Sequence, residues 1–415
     1  MDRTFGKEGA LRVKPVAGEK ETEVRIDPLG RSIQFAITRK GDNAWLKVDA
    51  TNLRGEKLPN YGTSVEAAGV PLDPWPGALL AIDFLKDGSP LVLVGGLCAA
   101  ASCPHNYDEP GVSKRYLLKL KANGTVDPSF GKGGAVEFAP ADTESTDDTR
   151  AYRVSATQDG NIVVAIDRPS GLQIRSLDTR GKTLAEGSFK FPNTHKRATP
   201  GPLLGLTKDT ALLVHFDPDP VGDPFPSTAQ LYRVNLTTGK QTPSMDPAIA
   251  IGGPKKTMAR KIKVVGDSIY VLGHSNEKDH AGTISGYSVV RYNSDLSLAR
   301  NFGSQGIASL KVGKQGWGGE AFDFSVMPDG KIYVVGTVST STKSDAVGLD
   351  FVSNYDLAVV RFNANGTPDK TFGENATQLV GAGSNDEAYR AIFPAKNAVY
   401  LLGKADNDVV FSMLR

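Results

Sequence analysis

The chain has 415 residues, 45 of them glycine and 25 proline, with 40% hydrophobic and 23% charged residues, a composition rich in turns yet able to build a core. Its formal net charge of +2 gives no global pull toward nucleic acid or an anionic membrane surface. The longest apolar run, residues 91–101, falls well short of the roughly 20 residues that a transmembrane helix needs.

The chain opens on Asp2-Arg3-Thr4-Phe5-Gly6, the first copy of a D-x-[ST]-F-G box, and runs on as a strand pattern to Val13. A unit over about 19–69 ends on a weaker copy, Pro59-Asn60-Tyr61-Gly62. The next, 78–138, carries turns at Asp87-Gly88 and Asn123-Gly124 and then the box Asp127-Pro128-Ser129-Phe130-Gly131. Between those turns sit Cys98 and Cys103. A local disulfide in a surface loop is the preferred reading, with two free thiols as the alternative, since no second pair exists to complete a zinc site. An acidic connector, 142–148, leads to a unit at 151–191 with turns at Asp159-Gly160 and Arg180-Gly181.

The aromatic of the box recurs at 5, 61, 130, 302 and 372, and the step from 130 to 302 is about three ordinary steps long. Two copies have therefore decayed inside it, one near 185–187 and one near 242–244, in units spanning 151–191 and 202–252. Units at 256–310 and 321–380 follow, ending on Arg300-Asn301-Phe302-Gly303 and Asp369-Lys370-Thr371-Phe372-Gly373. Residues 321–380 show the pattern best: strands over 321–326, 331–338 and 357–363, then the box and its tail, 371–380, as the fourth strand. The last unit, 388–415, supplies only three strand patterns, 389–394, 399–403 and 409–414. The missing fourth is predicted to be residues 2–13. The chain thus reads as all-β: a single seven-bladed β-propeller of four-stranded antiparallel blades, its ring closed by the N-terminal strand, which removes the bare edges of an open array.

Taken together, the boxes, the turn Asp329-Gly330-Lys331-Ile332 and the paired motifs Val359-Val360-Arg361-Phe362-Asn363 and Val289-Val290-Arg291-Tyr292-Asn293 resemble the delta-60 repeat, a β-propeller repeat of bacterial proteins. The resemblance implies the propeller fold and an envelope or extracellular habit. It implies no activity, because that family shares no catalytic motif. Residues 184–250 depart most from the pattern. No leader peptide is visible, and because Met1 stands directly on a box, a leader absent from this sequence and an extracytoplasmic (periplasmic or secreted) location are expected.

Within a propeller blade the first strand lies innermost and the fourth outermost. The long inserts, 98–113, 217–229, 277–286 and 340–356, then fall on one face with the inter-blade connectors, and such a looped face is where function is expected. Candidate binding residues on it are Trp75 and Trp317, each in a Gly/Pro-rich connector where an indole could stack on a sugar or anchor a protein, or could simply plug a gap between blades. Glu320, Asp386 and Glu387 stand just before first strands, and His195 and Arg197 form a small basic connector. Asp217, Asp219 and Asp223 are weak calcium candidates, lacking the spacing of a helix–loop–helix site. His274 and His280, flanking Glu277 and Asp279, are a weaker metal candidate still. The basic run 255–263 lacks interleaved aromatics and reads as solvated surface rather than a nucleic-acid platform.

No nucleophile elbow, zincin motif, P-loop or dinucleotide fingerprint occurs, so no catalytic residue and no cofactor is assigned. The expected function is non-enzymatic binding of a protein partner, an envelope component or secreted effector, by the looped face. Glycan binding, or glycan hydrolysis or elimination through dispersed carboxylates such as Glu320, Asp386 or Glu387, is the alternative. Neither a nucleic-acid partner nor membrane insertion is expected.

Overall fold

A computed structural model of the chain describes residues 10–14, 22–40, 43–62, 64–65, 79–95, 115–138, 152–168, 171–191, 200–217, 228–245, 257–279, 282–312, 320–344, 350–380, 386–395, 398–405 and 408–414. These hold 28 strands and no helix. The strands form seven four-stranded antiparallel sheets, and the protein is a seven-bladed β-propeller.

The first blade joins β2 (Thr22–Ile26), β3 (Ser32–Lys40), β4 (Asn43–Thr51) and β5 (Ser64–Val65) in sequence order. The same order holds for β6 (Leu79–Phe84), β7 (Pro90–Gly95), β8 (Arg115–Lys119) and β9 (Ala135–Phe138). It holds again for β10 (Tyr152–Ala156), β11 (Ile162–Arg168), β12 (Gly171–Leu177) and β13 (Thr183–Phe189), and for β14 (Pro200–Thr207), β15 (Thr210–Asp217), β16 (Thr228–Asn235) and β17 (Gln241–Pro243). The fifth blade is β18 (Thr257–Val265), β19 (Ser268–Asp279), β20 (Gly282–Asn293) and β21 (Ile307–Val312). The sixth is β22 (Ala321–Val326), β23 (Ile332–Ser344), β24 (Asp350–Phe362) and β25 (Thr377–Val380). The seventh is composite: β26 (Asp386–Ala395), β27 (Ala398–Ala405) and β28 (Asp408–Leu414) take β1 (Ala10–Val13) as their fourth strand. β1 runs antiparallel to β28, from Ala10 opposite Ser412 to Val13 opposite Val409, as the missing final strand pattern requires.

The chain divides into two compact units, one holding β1 and β18–β28 and the other β2–β14, with the strands of the fourth blade shared between them. In the second unit, Phe35, Leu46 and Val48 of the first blade pack with Phe84, Val92 and Leu118 of the next. In the first unit, Tyr270, Leu272 and Tyr287 pack with Phe324, Val334 and Phe362 in the same way. Each such fully buried side chain contributes about 1.5–3 kcal/mol. The central strand β7 is buried at every position, with Val92 and Val94 in one cluster and Leu91 and Leu93 in another, so its continuous apolar run reports burial on both faces of the blade.

Two details of the sequence reading are corrected. The box is a turn and not the start of a strand: β25 begins only at Thr377, and Asp369 Oδ1 instead accepts the N–H and Oγ1–H of Thr371, closing a local turn. The equivalent Asp127 accepts the same two bonds from Ser129. The second and third strands of the sixth blade are also longer than predicted, because β23 and β24 stay paired as far as Ser344 opposite Asp350 in a segment whose polar Ser/Thr composition gave no strand signal.

The box joins neighbouring blades. The amides of Gly62, Gly131 and Gly303 donate to the carbonyls of Asn123, Arg180 and Asn365, at 2.8, 2.7 and 2.7 Å, each in the third-to-fourth-strand turn of the following blade. The residue after each acceptor is a glycine with positive φ, and in each Asp-Gly or Asn-Gly pair only the glycine adopts it. A Cβ at Gly181 would stand 3.0 Å from the amide nitrogen of Gly131 and 3.2 Å from the Phe130 ring, so the turn can approach only as glycine.

Candidate functional site

First strands of consecutive blades carry a distinct set of side chains in the unit containing β18–β28. Three of these strands are bulged. Ala259 pairs Gly273 while Lys261 pairs Leu272, leaving Arg260 as the extra residue of β18. Ala321 pairs Gly336 while Asp323 pairs Val335, leaving Phe322 extra in β22. In β26 the register shifts between Asp386 and Ala388, so Glu387 is extra there. A bulge bends its strand and re-aims the unpaired residue's side chain, which is why bulges gather at functional surfaces. In the other unit β6 has the same irregularity between Leu79 and Ala81, whereas β2 and β10 pair without one over the described residues.

Arg260 and Glu320 form an ion pair, Nη2 to Oε2 at 2.6 Å, and the guanidinium lies 5.7 Å from the centre of the Phe322 ring. Both partners are partly exposed, at 29% and 47% of the side chain. Glu320 is held by its main chain: its N–H donates to Thr337 Oγ1 at 3.1 Å, and its carbonyl accepts the Thr337 N–H at 2.9 Å. Beneath, the hydroxyl of the fully buried Tyr287 donates to the Thr337 carbonyl. Burial, with a smaller contribution from the Glu320 charge, pushes that phenol well above its ordinary range, so it remains a neutral donor.

One pair of positions further along, Asp323 is only 4% exposed, and two ammonium groups reach the same oxygen of it: Lys261 Nζ at 2.8 Å and Lys263 Nζ at 3.3 Å. Its carboxylate also accepts the Phe324 N–H at 2.8 Å and, at 3.4 Å, the Ile392 N–H from β26 of the following blade. Burial alone would raise the Asp323 pKa, but the two lysines and the Phe324 amide outweigh it and hold the carboxyl below its usual range. Lys263 is the less supported cation: burial depresses its pKa to about 8, against the opposing pull of Asp323 and with the Lys261 charge adding to the depression. Its ammonium also donates to the Phe324 carbonyl. The cluster therefore holds three cations and two carboxylates.

A first-strand side chain that receives the next blade's amide recurs in the other unit: Asp83 accepts the Ala156 N–H at 2.7 Å and Ser155 accepts the Gly205 N–H at 2.9 Å. Part of what Asp323 does is thus to tie first strands together. Asp323 also receives the two lysines.

Of the residues nominated from sequence, Glu320 is in this cluster. Asp386 and Glu387 lie on β26 by their backbone, and their side chains are outside the described residues, as is that of Asp217 on β15. Trp75, Trp317, His195, Arg197, Asp219, Asp223, Cys98 and Cys103 all lie outside them. Among the described residues, no group of three or more His, Cys, Asp or Glu could hold a metal ion. The basic run is corrected in part: Arg260, Lys261 and Lys263 are not simply solvated but paired with carboxylates of the following first strand. The sequence signal was there in Arg260-Lys261-Ile262-Lys263 facing Glu320 and Asp323, but pairing across 60 residues is invisible without the blade-to-blade register.

A family model described as a domain of unknown function, DUF5122 beta-propeller, matches residues 107–130 and 328–372. Among curated proteins no match was found. Among solved structures, an ulvan lyase from a new family of polysaccharide lyase is similar, with a TM-score of 0.53 and 12% identity over 97% of this chain and 95% of that one. An ulvan lyase bound to -[GlcA(1-4)Rha3S]- aligns with a TM-score of 0.52 and 11% identity over 98% of this chain and 94% of that one. Prolyl oligopeptidase B from Galerina marginata aligns with a TM-score of 0.48 and 10% identity, over 98% of this chain and 51% of that one. At these identities the likeness is one of fold.

Proposed function

We propose that the protein is an extracytoplasmic, non-enzymatic propeller of delta-60-type repeats whose ligand is a glycan. The observation that carries this reading is the partly exposed surface at the bulges of β18 and β22, where the Arg260 guanidinium, paired with the Glu320 carboxylate, lies over the half-buried Phe322 ring. An aromatic face suits the C–H face of a sugar ring, and planar charged groups beside it match vicinal hydroxyls as donor and acceptor. A protein partner would instead favour a contiguous apolar patch. Among the described residues the exposed large hydrophobics are Leu29, Leu184, Met245, Val265 and Leu379, dispersed over five separate turns and strands. The ulvan lyase complex supports the reading as an example of this architecture with a saccharide bound. The repeat resemblance supports the extracytoplasmic location.

Affinity electrophoresis through gels containing polysaccharides tests it. Retardation of the wild type, reduced in the double variant Phe322→Ala, Glu320→Ala, is expected, with no shortening of the polymer on prolonged incubation. If no glycan retards the protein and an envelope protein is captured instead, the protein-partner reading replaces this one. Shortening of the polymer would make it an enzyme.

A further inference from the structure

We infer that the glycan is acidic, and that Lys261 is the side chain that receives its carboxylate. The inference rests on the glycan reading above and adds the ligand's charge to it. Five charged side chains meet on β18 and at β22, and they do not balance. Arg260 and Glu320 pair one to one, whereas Lys261 and Lys263 share a single oxygen of Asp323. Among the described residues of this cluster, one positive charge has no carboxylate of its own.

The two lysines are not equivalent. Lys263 is tied down at two points, donating to the Phe324 carbonyl as well as reaching Asp323, and its side chain is 29% exposed. Lys261 contacts Asp323 at 2.8 Å with a side chain that is 42% exposed, so its ammonium can turn outward without leaving Asp323 unpaired. Asp323 keeps Lys263, the Phe324 amide and the Ile392 amide, so its buried charge stays compensated when Lys261 leaves. Lys261 follows the bulged Arg260 in β18, and the Asp323 it contacts follows Phe322 in β22, over whose ring the Arg260 guanidinium lies. A hexuronate that set its ring against Phe322 would bring its carboxylate within reach of the ammonium that has a charge to give. A neutral sugar could use the aromatic face and the Arg260–Glu320 pair, but it would leave Lys261 where it is.

The test uses one polymer in two charge states. Polygalacturonate and its fully methyl-esterified form present the same backbone with and without carboxylates, and the dissociation constant of the whole protein is measured for each. The wild type is expected to bind polygalacturonate about tenfold more tightly, the equivalent of one ion pair worth about 1.4 kcal/mol. That preference should shrink in 0.5 M salt, roughly as a Debye length of a few ångströms implies. Lys261→Ala should bind the two polymers alike, with a lowered unfolding midpoint but a cooperative transition because Lys263 and the Phe324 amide still face Asp323, while Lys261→Arg should keep the preference. Equal binding of both polymers by the wild type, or a preference that Lys261→Ala leaves intact, overturns the inference while the glycan reading stands. Failure to bind either polymer, or any neutral glycan, removes both. Polyglutamate bound as tightly as polygalacturonate, with the same dependence on Lys261, shows a site for anions of any backbone and overturns the assignment to a saccharide.

Discussion

The amide of Gly131 donates to the carbonyl of Arg180 at 2.7 Å, linking the end of one blade's box to a turn of the next. The neighbouring Gly181 has φ of +83° and no room for a Cβ, because Val136, Gly131 and Phe130 stand within 2.6 to 3.2 Å of it. Gly160 has nearly the same φ, +85°, with nothing within 4 Å. The two positions separate backbone strain from docking between blades. Gly160→Ala is expected to cost about 1–2 kcal/mol, the penalty of a left-handed non-glycine residue. Gly181→Ala is expected to cost about 1–3 kcal/mol more, from overpacking against the box. Urea unfolding of both variants measures the difference, and equal losses would show that the docking contributes nothing.

Asp127 anchors the box of the second blade. Burial pushes its carboxyl up, but Lys119, whose ammonium is 2.9 Å away, and the hydroxyl and amide of Ser129 outweigh it and bring the pKa down to about 2. Because the folded value lies below the unfolded one, the stabilisation is complete above about pH 4 and is lost as pH falls toward 2. Asp127→Asn should lower stability at pH 7 by about 1–2 kcal/mol and flatten the decline between pH 4 and 2. Denaturant midpoints at pH 2.5, 4 and 7 check this. A variant that loses as much at pH 2.5 as at pH 7 would contradict it.

Lys263 has the opposite sign. Its folded pKa of about 8 lies below the ordinary 10.5, so the unfolded chain binds the extra proton between those values. Stability from this group therefore rises with pH from about 8 to about 10.5, and is lowest where the ammonium is charged in both states. Lys263→Met should remove that rise while leaving Lys261 to compensate Asp323. Guanidinium midpoints from pH 7 to 10 should show a shallower slope than the wild type's, and an unchanged slope would place the titration elsewhere.

Arg361 joins both halves of the sixth blade's box. Its guanidinium lies 4.5 Å from the Phe372 ring centre and 5.6 Å from that of Tyr333, while Nε donates to Asp369 at 2.8 Å and Nη1 to the Tyr333 hydroxyl at 3.1 Å. Lysine cannot make a planar stack and two directed bonds together. Arg361→Lys is thus expected to cost about 1–2 kcal/mol although charge is conserved, read from thermal unfolding. A variant as stable as the wild type would show that the charge alone matters.

β1 leaves β28 as an unpaired edge if it is removed. Deleting residues 1–14 should lower the melting temperature and promote self-association, since an exposed hydrogen-bonding edge recruits strands from other chains. Adding a peptide of those residues should reverse both effects, as followed by calorimetry and light scattering. A deletion variant that remains monomeric and equally stable would mean that the seventh blade does not need its borrowed strand.

The sequence by itself determined the repeat, the number of blades and the closure. Phe130, Phe302 and Phe372 mark the boxes at intervals that tile the chain, and the strand pattern ending at Val13 matches the fourth strand that the last unit takes in β1. Such features are local or periodic, and hydrophobic alternation reports them directly. Glycine followed the same logic at Gly124 and Gly181, where turn chemistry is a property of a few consecutive residues. What only the tertiary structure decided is which charges meet. Arg260, Lys261 and Lys263 look like a solvated run until β18 is set beside β22, where Glu320 and Asp323, 60 residues on, receive them. Nor does the sequence show that Arg260 and Phe322 sit at bulges, since a bulge is an offset between two strands and neither strand contains it alone. Ion pairing and burial depend on distances between side chains that the chain brings together only when it folds, and a candidate site made of such pairs becomes visible at that stage and no earlier.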